Sequence, residues 1–203
     1  MDLGYGNLKA SKFVTNVGLI TTHGPNGENI MSAEWTYYVS YSPAYIAVLT
    51  GGNENGKATA QNISATKMFG VNIAASDQNV IASIAGNSTG REVDKIGLLT
   101  ELGFEFYKGK KIECPMVKGA ATNAECALLE TKVLGDHTMF VGEVVEISSD
   151  GSKQPLVYQF GSFHELGWQM EKPDGGMLAK IEQLKEKYAK SPQPPEISTA
   201  PKQ

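Results

Sequence analysis

Gly135-Asp136-His137-Thr138-Met139-Phe140-Val141-Gly142-Glu143-Val144-Val145-Glu146-Ile147 decides the fold. It reads as a turn carrying an Asp-His pair, followed at once by a strand. Just upstream, Asn123 to Val133 is a second extended run, and Leu134-Gly135-Asp136 lies between the two. Together they predict a long antiparallel pair. An imidazole at a strand start can stand at the mouth of a barrel, where ligands bind. It is also the side chain whose proton affinity lies nearest neutral pH.

Working outward, more short strands appear. Phe13 to Thr22 is rich in Val, Leu, Ile and Thr and stops at His23-Gly24-Pro25-Asn26-Gly27, a turn. Asn29 to Glu34 then predicts a hairpin partner. Tyr45 to Thr50, Met68 to Ala74 and Leu156 to Phe160 read as strands. Phe104 to Tyr107 and Ile112 to Met116 flank a basic turn. Lys57 to Ala65 reads as a short helix with Ser or Thr near its start as a cap. A second helix opens at Ser76-Asp77 with Val80, Ile81 and Ile84 on one face, and Asp94 to Glu101 reads as a helical turn and loop.

The tally is seven or eight strands, joined mostly by short turns. That predicts a mainly β fold with inserted helices. Antiparallel strands in this number close most readily into a barrel, which removes unpaired edges. The expected organisation is a barrel domain over 1–175, an amphipathic C-terminal helix over 176–190 with the stripe Met177, Ile181, Leu184 and Tyr188, and a Pro-rich tail over 191–203. The tail's composition predicts disorder.

The chain has 203 residues, a net charge of −4 and 41% apolar residues. That allows a sizeable core. Acids and bases are interspersed, which argues against a nucleic-acid partner, since that needs a basic face. No apolar run is long enough for a membrane span and none resembles a signal peptide, so a cytoplasmic protein is expected. Cys114 and Cys126 are accordingly read as reduced thiols. His23, His137 and His164 sit in unrelated turns, so no metal site is expected.

Three segments carry candidate chemistry. Gly51 to Gly56, followed by Lys57-Ala58-Thr59, combines a glycine loop, a helix start, a cation and a hydroxyl. Backbone N–H groups and the positive dipole end there suit an anion. An ordinary capped helix after a surface loop fits the same residues. No P-loop or dinucleotide glycine signature is present. Asn29 to Pro43 mixes aromatic rings with small hydroxyl residues. That suits a wall against a flat ligand with polar edges, or a core strand leading into an aromatic surface loop. Gly90-Arg91-Glu92-Val93-Asp94-Lys95 is either a solvated charged turn or a phosphate contact.

These segments, taken in order, resemble the flavin reductase-like, FMN-binding split-barrel proteins, a group that includes flavoredoxins and ferric or flavin reductases. The matching pieces are Asn29 to Trp35 with Ser40 and Pro43; Thr59, Asn62 and Ile63 before Phe69, Val71 and Asn72; Gly90-Arg91 with Asp94-Lys95; Glu125-Cys126; Gly135-Asp136-His137 with Gly142-Glu143-Val144; and Leu156-Val157-Tyr158 before Gly161. The resemblance runs from about residue 10 to about residue 168.

It implies an antiparallel split β-barrel that forms a homodimer, with FMN (FAD less so) near the subunit interface. Ala33, Glu34, Trp35, Thr36 and Ser40 would then lie along the isoalloxazine and ribityl chain. The loop from Thr50 through Asn53, with Lys57 and Thr59, would face the ribityl and phosphate. Asn72 would border the flavin, and Arg91 and Lys95 would reach a phosphate or the nicotinamide side. His137 would stand at the open face as the catalytic candidate, where NAD(P)H visits as a transient substrate; a structural histidine at a strand start fits as well. Glu34-Trp35 and Tyr37-Tyr38 depart from the smaller or more varied residues of many relatives. The implied activity is hydride transfer from NAD(P)H to bound flavin, with electrons passed on to a flavin, a ferric complex or a protein. A non-enzymatic flavoredoxin-like carrier and a flavin-free binding barrel are the alternatives.

Overall fold

The computed structural model describes residues 1–4, 6–52 and 56–190. Asn53 and the tail 191–203 lie outside the described residues, so the expectations placed on them do too. The chain divides into two compact units, Met1–Leu166 and a second that starts at Gly167.

The first unit is built on strands β1 Val14–Asn16, β2 Gly18–Thr22, β3 Asn29–Ala33, β4 Thr36–Tyr41, β5 Ala44–Gly51, β6 Met68–Ile73, β7 Phe106–Lys108, β8 Pro115–Val117, β9 Thr122–Leu134, β10 His137–Ser149, β11 Val157–Gln159 and β12 Ser162–His164. Helices α1 Ala58–Thr66, α2 Asn79–Asn87 and α3 Lys95–Glu101 are inserted among them. Helix α4, Gly175–Lys187, lies in the second unit, with the Asp174 carboxylate accepting from Met177 N at 2.8 Å as its N-cap. Seven strands form one antiparallel sheet in the order β3-β2-β6-β9-β10-β5-β4. Two small sheets, β1-β11-β12 and β7-β8, complete the fold.

The large sheet curls around a core. Ile20, Ala33, Val48, Phe69, Ala124 and Phe140 come from six different strands, yet they share one buried cluster with Ala60 and Ile63 of α1. A flat sheet could not bring β3 and β5, five strands apart in the order, to one place. The bend comes partly from the long β9–β10 ladder, which slips register at Val141/Gly142 and again at Val144/Glu146. Such bulges sharpen strand twist and let a sheet close. Gly142 sits at the first slip because a Cβ there would lie 2.5 Å from the Phe69 ring. A second cluster covers the sheet's outer face, where Ile81, Ala82 and Ala85 of α2 and Leu99 of α3 pack against Leu19 and Ile30. Each large apolar side chain buried this way contributes about 1.5–3 kcal/mol.

Several expectations shift. The run Phe13 to Thr22 is two strands, divided at Val17, because β1 pairs with β11 while β2 pairs with β3 and β6. Thr36–Tyr41 is a full strand rather than a loop, and β12 adds a further strand after β11. Helix α1 has Lys57 at its N-cap with no side-chain cap bond, against the expected Ser or Thr. The buried face of α2 is Ile81, Ala82 and Ala85, while Val80 is exposed. Residues 95–101 form a helix, capped by the Asp94 carboxylate accepting from Gly97 N at 3.0 Å.

Candidate functional site

One end of the β5–β10 ladder gathers the aromatic half of the site. There His137 lies opposite Gly51 and Thr138 opposite Thr50. Leu49 N donates to Trp35 O at 3.0 Å, which ties the corner between β3 and β4 to β5. That tie carries the Trp35 ring over His137, with centroids 4.5 Å apart and planes tilted by 37°. Such a contact adds about 0.5–1.5 kcal/mol beyond simple burial. His137 Nδ1 meets Asp136 Oδ1 at 2.7 Å, and the Asp136 carboxyl is held below its ordinary range by that bond. With Nδ1 as donor, Nε2 is the ring's other working atom, and it lies 3.8 Å from where a Cβ of Gly51 would stand.

The start of the glycine loop is clamped to the same place. Gly52 N donates to Asp136 O at 2.8 Å, and Thr138 Oγ1 donates to Gly52 O at 2.9 Å. Beside them the Thr50 hydroxyl is buried with no hydrogen-bond partner among the described residues. A buried hydroxyl without a partner costs free energy unless a ligand or water completes it.

The anion-ready half lies at the start of α1. Its N-cap residue makes no side-chain cap bond, so the first-turn amide donors at the positive end of the dipole have no side-chain acceptor from that residue. Thr59 is buried and its hydroxyl accepts from Asn29 Nδ2 at 2.8 Å. The Asn29 Oδ1 is buried without a partner among the described residues. Gly90 closes against it: a Cβ at Gly90 would sit 2.1 Å from that oxygen. Lys95 is buried, donating to Ala85 O and Ser88 O at 3.2 Å each. Burial first, and the nearby Lys57 ammonium second, push its pKa down to about 8. Two cations in mutual repulsion next to uncapped amides form a centre that a bound anion would relieve.

The sequence-predicted residues thus fall into groups. Trp35 and His137 meet at the ladder end, where Thr50, opposite Thr138, points to the other face of the sheet; Ala33 and Thr36 are buried, and the Thr36 hydroxyl donates to Ala33 O at 3.2 Å. Lys57, Thr59 and Lys95 gather around α1. Glu34 turns to a separate cavity that it shares with Ser32, Ser83 and Tyr158. Arg91 is exposed and lines another cavity of about 600 Å³ with Glu28, Glu92 and Asp94.

Ser40 sits five residues past Trp35, about 16 Å along an extended chain, and is not brought to the Trp35–His137 pair. Asn72 is fully buried and its amide is already used in full. It donates to Leu19 O and Thr21 Oγ1 and accepts from Val117 N and Asn123 Nδ2. It ties strands together, and its side-chain hydrogen bonds are all made within the chain. The sequence reading missed the Trp35–His137 stack and the Asn29–Thr59 bridge, because both join residues from separate elements. Cys114 and Cys126 are unlinked and buried, and burial pushes their thiols up to about 11 and about 12.

Comparison with known proteins gives this geometry a context. An NADH-dependent FAD reductase of Streptomyces globisporus is 25% identical over 155 residues, covering 76% of this chain and 80% of the relative. BorF, the flavin reductase component of a bacterial two-component tryptophan halogenase, superposes with a TM-score of 0.68 at 27% identity, covering 80% of this chain and 98% of that one. A flavoredoxin from Methanosarcina acetivorans superposes with a TM-score of 0.71 at 23% identity over 85% and 95% of the two chains, which speaks to the fold alone. The flavin reductase like domain matches residues 10–167, most of the first compact unit, and the chain therefore belongs to that family.

Proposed function

We propose that this chain is an oxidoreductase that binds FMN at the end of the β5–β10 ladder, takes hydride from NADH or NADPH and passes electrons to a flavin, ferric or protein acceptor. The observation that carries the reading is the half-exposed aromatic–imidazole stack, Trp35 on His137, at the end of the β5–β10 ladder. Relatives named as NADH-dependent flavin reductases support the same class of reaction.

The residues fit the flavin. The uncapped α1 start with Lys57 and Thr59 suits its phosphate, and the Thr50 hydroxyl suits a polar atom of the ribityl chain or ring. Trp35 supplies an apolar plane for a flat ring system. When bound, FMN supplies the hydride and electron chemistry, which no side chain of this protein can perform. The protein's own part is placement and electrostatics. Asp136 holds His137 in one orientation, so its Nε2 can hold or give up a proton at the site's edge. The Lys57–Lys95 pair balances phosphate charge.

A second copy of the chain is expected to cover β4. This strand ends the large sheet, its outer edge unpaired among the described residues, and it exposes Tyr37, Tyr38, Val39 and Tyr41. An exposed apolar edge of this kind invites pairing.

The test is an absorption spectrum of the purified protein before and after reduced nicotinamide nucleotide is added anaerobically. Flavin absorption that bleaches supports the reductase. Flavin that stays oxidised with both nucleotides makes the protein a carrier reduced by another protein. A colourless protein that ignores added FMN ends the proposal.

A further inference from the structure

The cavity that Glu34 enters is separate from the ladder end, yet one residue away from it. Glu34 lines a space of about 410 Å³ between β3, α2 and the β11–β12 hairpin, while its neighbour Trp35 stacks on His137. Consecutive Cα atoms are only about 3.8 Å apart. A ligand with two ends could therefore place one on each side of this corner.

The lining chooses the chemistry. Tyr158 and Phe163 form an edge-to-face pair, with centroids 5.6 Å apart, along one wall. On the α2 side the floor is small: Ala82 and Gly86 leave room for a flat ring. Ser32 Oγ donates to Ala82 O at 2.6 Å and locks β3 to α2. Asn87 Nδ2 donates to Ser83 Oγ at 3.3 Å, which leaves the serine O–H able to donate outward. Among the described residues the lining holds one carboxyl, Glu34, and no lysine or arginine. Partial burial raises the Glu34 carboxyl above its ordinary value.

An aromatic wall with a carboxylate and neutral hydroxyl and amide groups suits a nucleoside: ring surface for the base, carboxylate for the ribose diol. The same set disfavours a phosphate on that diol. A carboxylate accepts hydrogen bonds from an unmodified ribose 2′-hydroxyl, whereas a 2′-phosphate brings like charge and finds no cation to meet it. The contrast is the cavity of about 600 Å³, where Arg91 stands in the lining.

We infer that this cavity receives the adenosine half of the reduced dinucleotide, and that Glu34 is the residue that selects NADH over NADPH. The inference rests on the proposed reductase reading for its nicotinamide end, but the pocket can be tested without it.

Two measurements on the full-length flavoprotein separate the two ideas. Calorimetric titration with 5′-AMP and 2′,5′-ADP reads the pocket alone. Steady-state kcat/KM with NADH and NADPH reads it in turnover. The wild type is expected to bind 5′-AMP at least about tenfold more tightly than 2′,5′-ADP, with the same preference for NADH in kcat/KM. Glu34→Gln removes the charge and keeps the shape, and it is expected to shrink both ratios to about threefold or less. Ser83→Arg adds a cation to the same wall and is expected to move both ratios toward the phosphorylated form, giving a second readout should the Glu34 variant fold poorly. Ratios in both variants equal to the wild type's, or a wild type that binds neither nucleotide or favours the 2′-phosphate, overturn the assignment of the pocket. If 5′-AMP is discriminated through Glu34 while neither dinucleotide bleaches the flavin, the pocket stands and the reductase reading falls.

Discussion

Two polar regions of this protein are built to opposite rules. Inside the large sheet, Asn72 makes four hydrogen bonds, and Glu125, only 3% exposed, accepts from the backbone N–H groups of Lys110, Lys111 and Ile112 at 2.7, 2.6 and 3.0 Å. At the ladder end and the start of α1, the Thr50 hydroxyl and the Asn29 carbonyl are buried with no partner among the described residues, and the helix has no side-chain cap. A buried polar group without a partner is costly, so a fold keeps one only where something else completes it. The first region spends its polar groups on holding strands and loops together. The second leaves them open, and a ligand is the natural occupant.

Glu125 is the strongest way to break this division. Glu125→Ala would leave three amide donors of the 110–112 loop without their acceptor. The expected loss is about 3 kcal/mol, or roughly 10 °C in melting temperature for a chain of this size. Flavin affinity, measured on the folded variant by fluorescence quenching, should stay within about twofold. If melting is unchanged and flavin is lost, the carboxylate belongs to the open region and the comparison fails.

Trp35 tests the other side. Trp35 is 38% exposed and its ring contacts His137. Trp35→Ala should weaken flavin binding about tenfold, equivalent to about 1.4 kcal/mol. Melting of the apoprotein should fall by only about 2 °C, since half-exposed rings contribute little to the core. A large drop in stability with flavin affinity intact would make Trp35 a packing residue.

The sequence revealed the two regions unequally. The β9–β10 pair was legible because two long extended runs flank a glycine turn. The strand β4 was not, because Tyr37, Tyr38 and Val39 in sequence are all exposed, and a strand exposed on both faces has no alternation to detect. Helix α1 could be read from Lys57 to Ala65, since its signal is local. The Trp35–His137 stack could not, because it arises only when β4 and β10 flank β5 in the sheet. Asn72 and Glu125 were visible as members of family-like segments, but nothing in a single sequence separates an asparagine that faces a ligand from one whose bonds are all made to the chain itself. The Glu34 cavity was invisible for a similar reason: it joins β3, α2 and the final hairpin, three elements with no common pattern.

Lys95 lies between the two regions and gives the subtlest test. It caps the end of α2 like a structural residue, yet its pKa is lowered to about 8 from an ordinary 10.5 by burial and by Lys57. Below pH 8 the folded and unfolded chains both hold the proton, and the fold bears the cost of a buried charge. Between pH 8 and 10.5 the unfolded chain still holds it while the folded chain has released it, so stability rises with pH. The expected gain between pH 8 and pH 9 is about 1 kcal/mol in the apoprotein, read as the difference in urea midpoint against Lys95→Met, in which this slope is absent. An anion bound beside Lys57 would favour the charged lysine and push its pKa back up. FMN, or inorganic phosphate at high concentration, should therefore flatten the slope toward that of the variant. A slope that both ligands leave untouched would put Lys95 wholly in the structural region and move the phosphate site away from the start of α1.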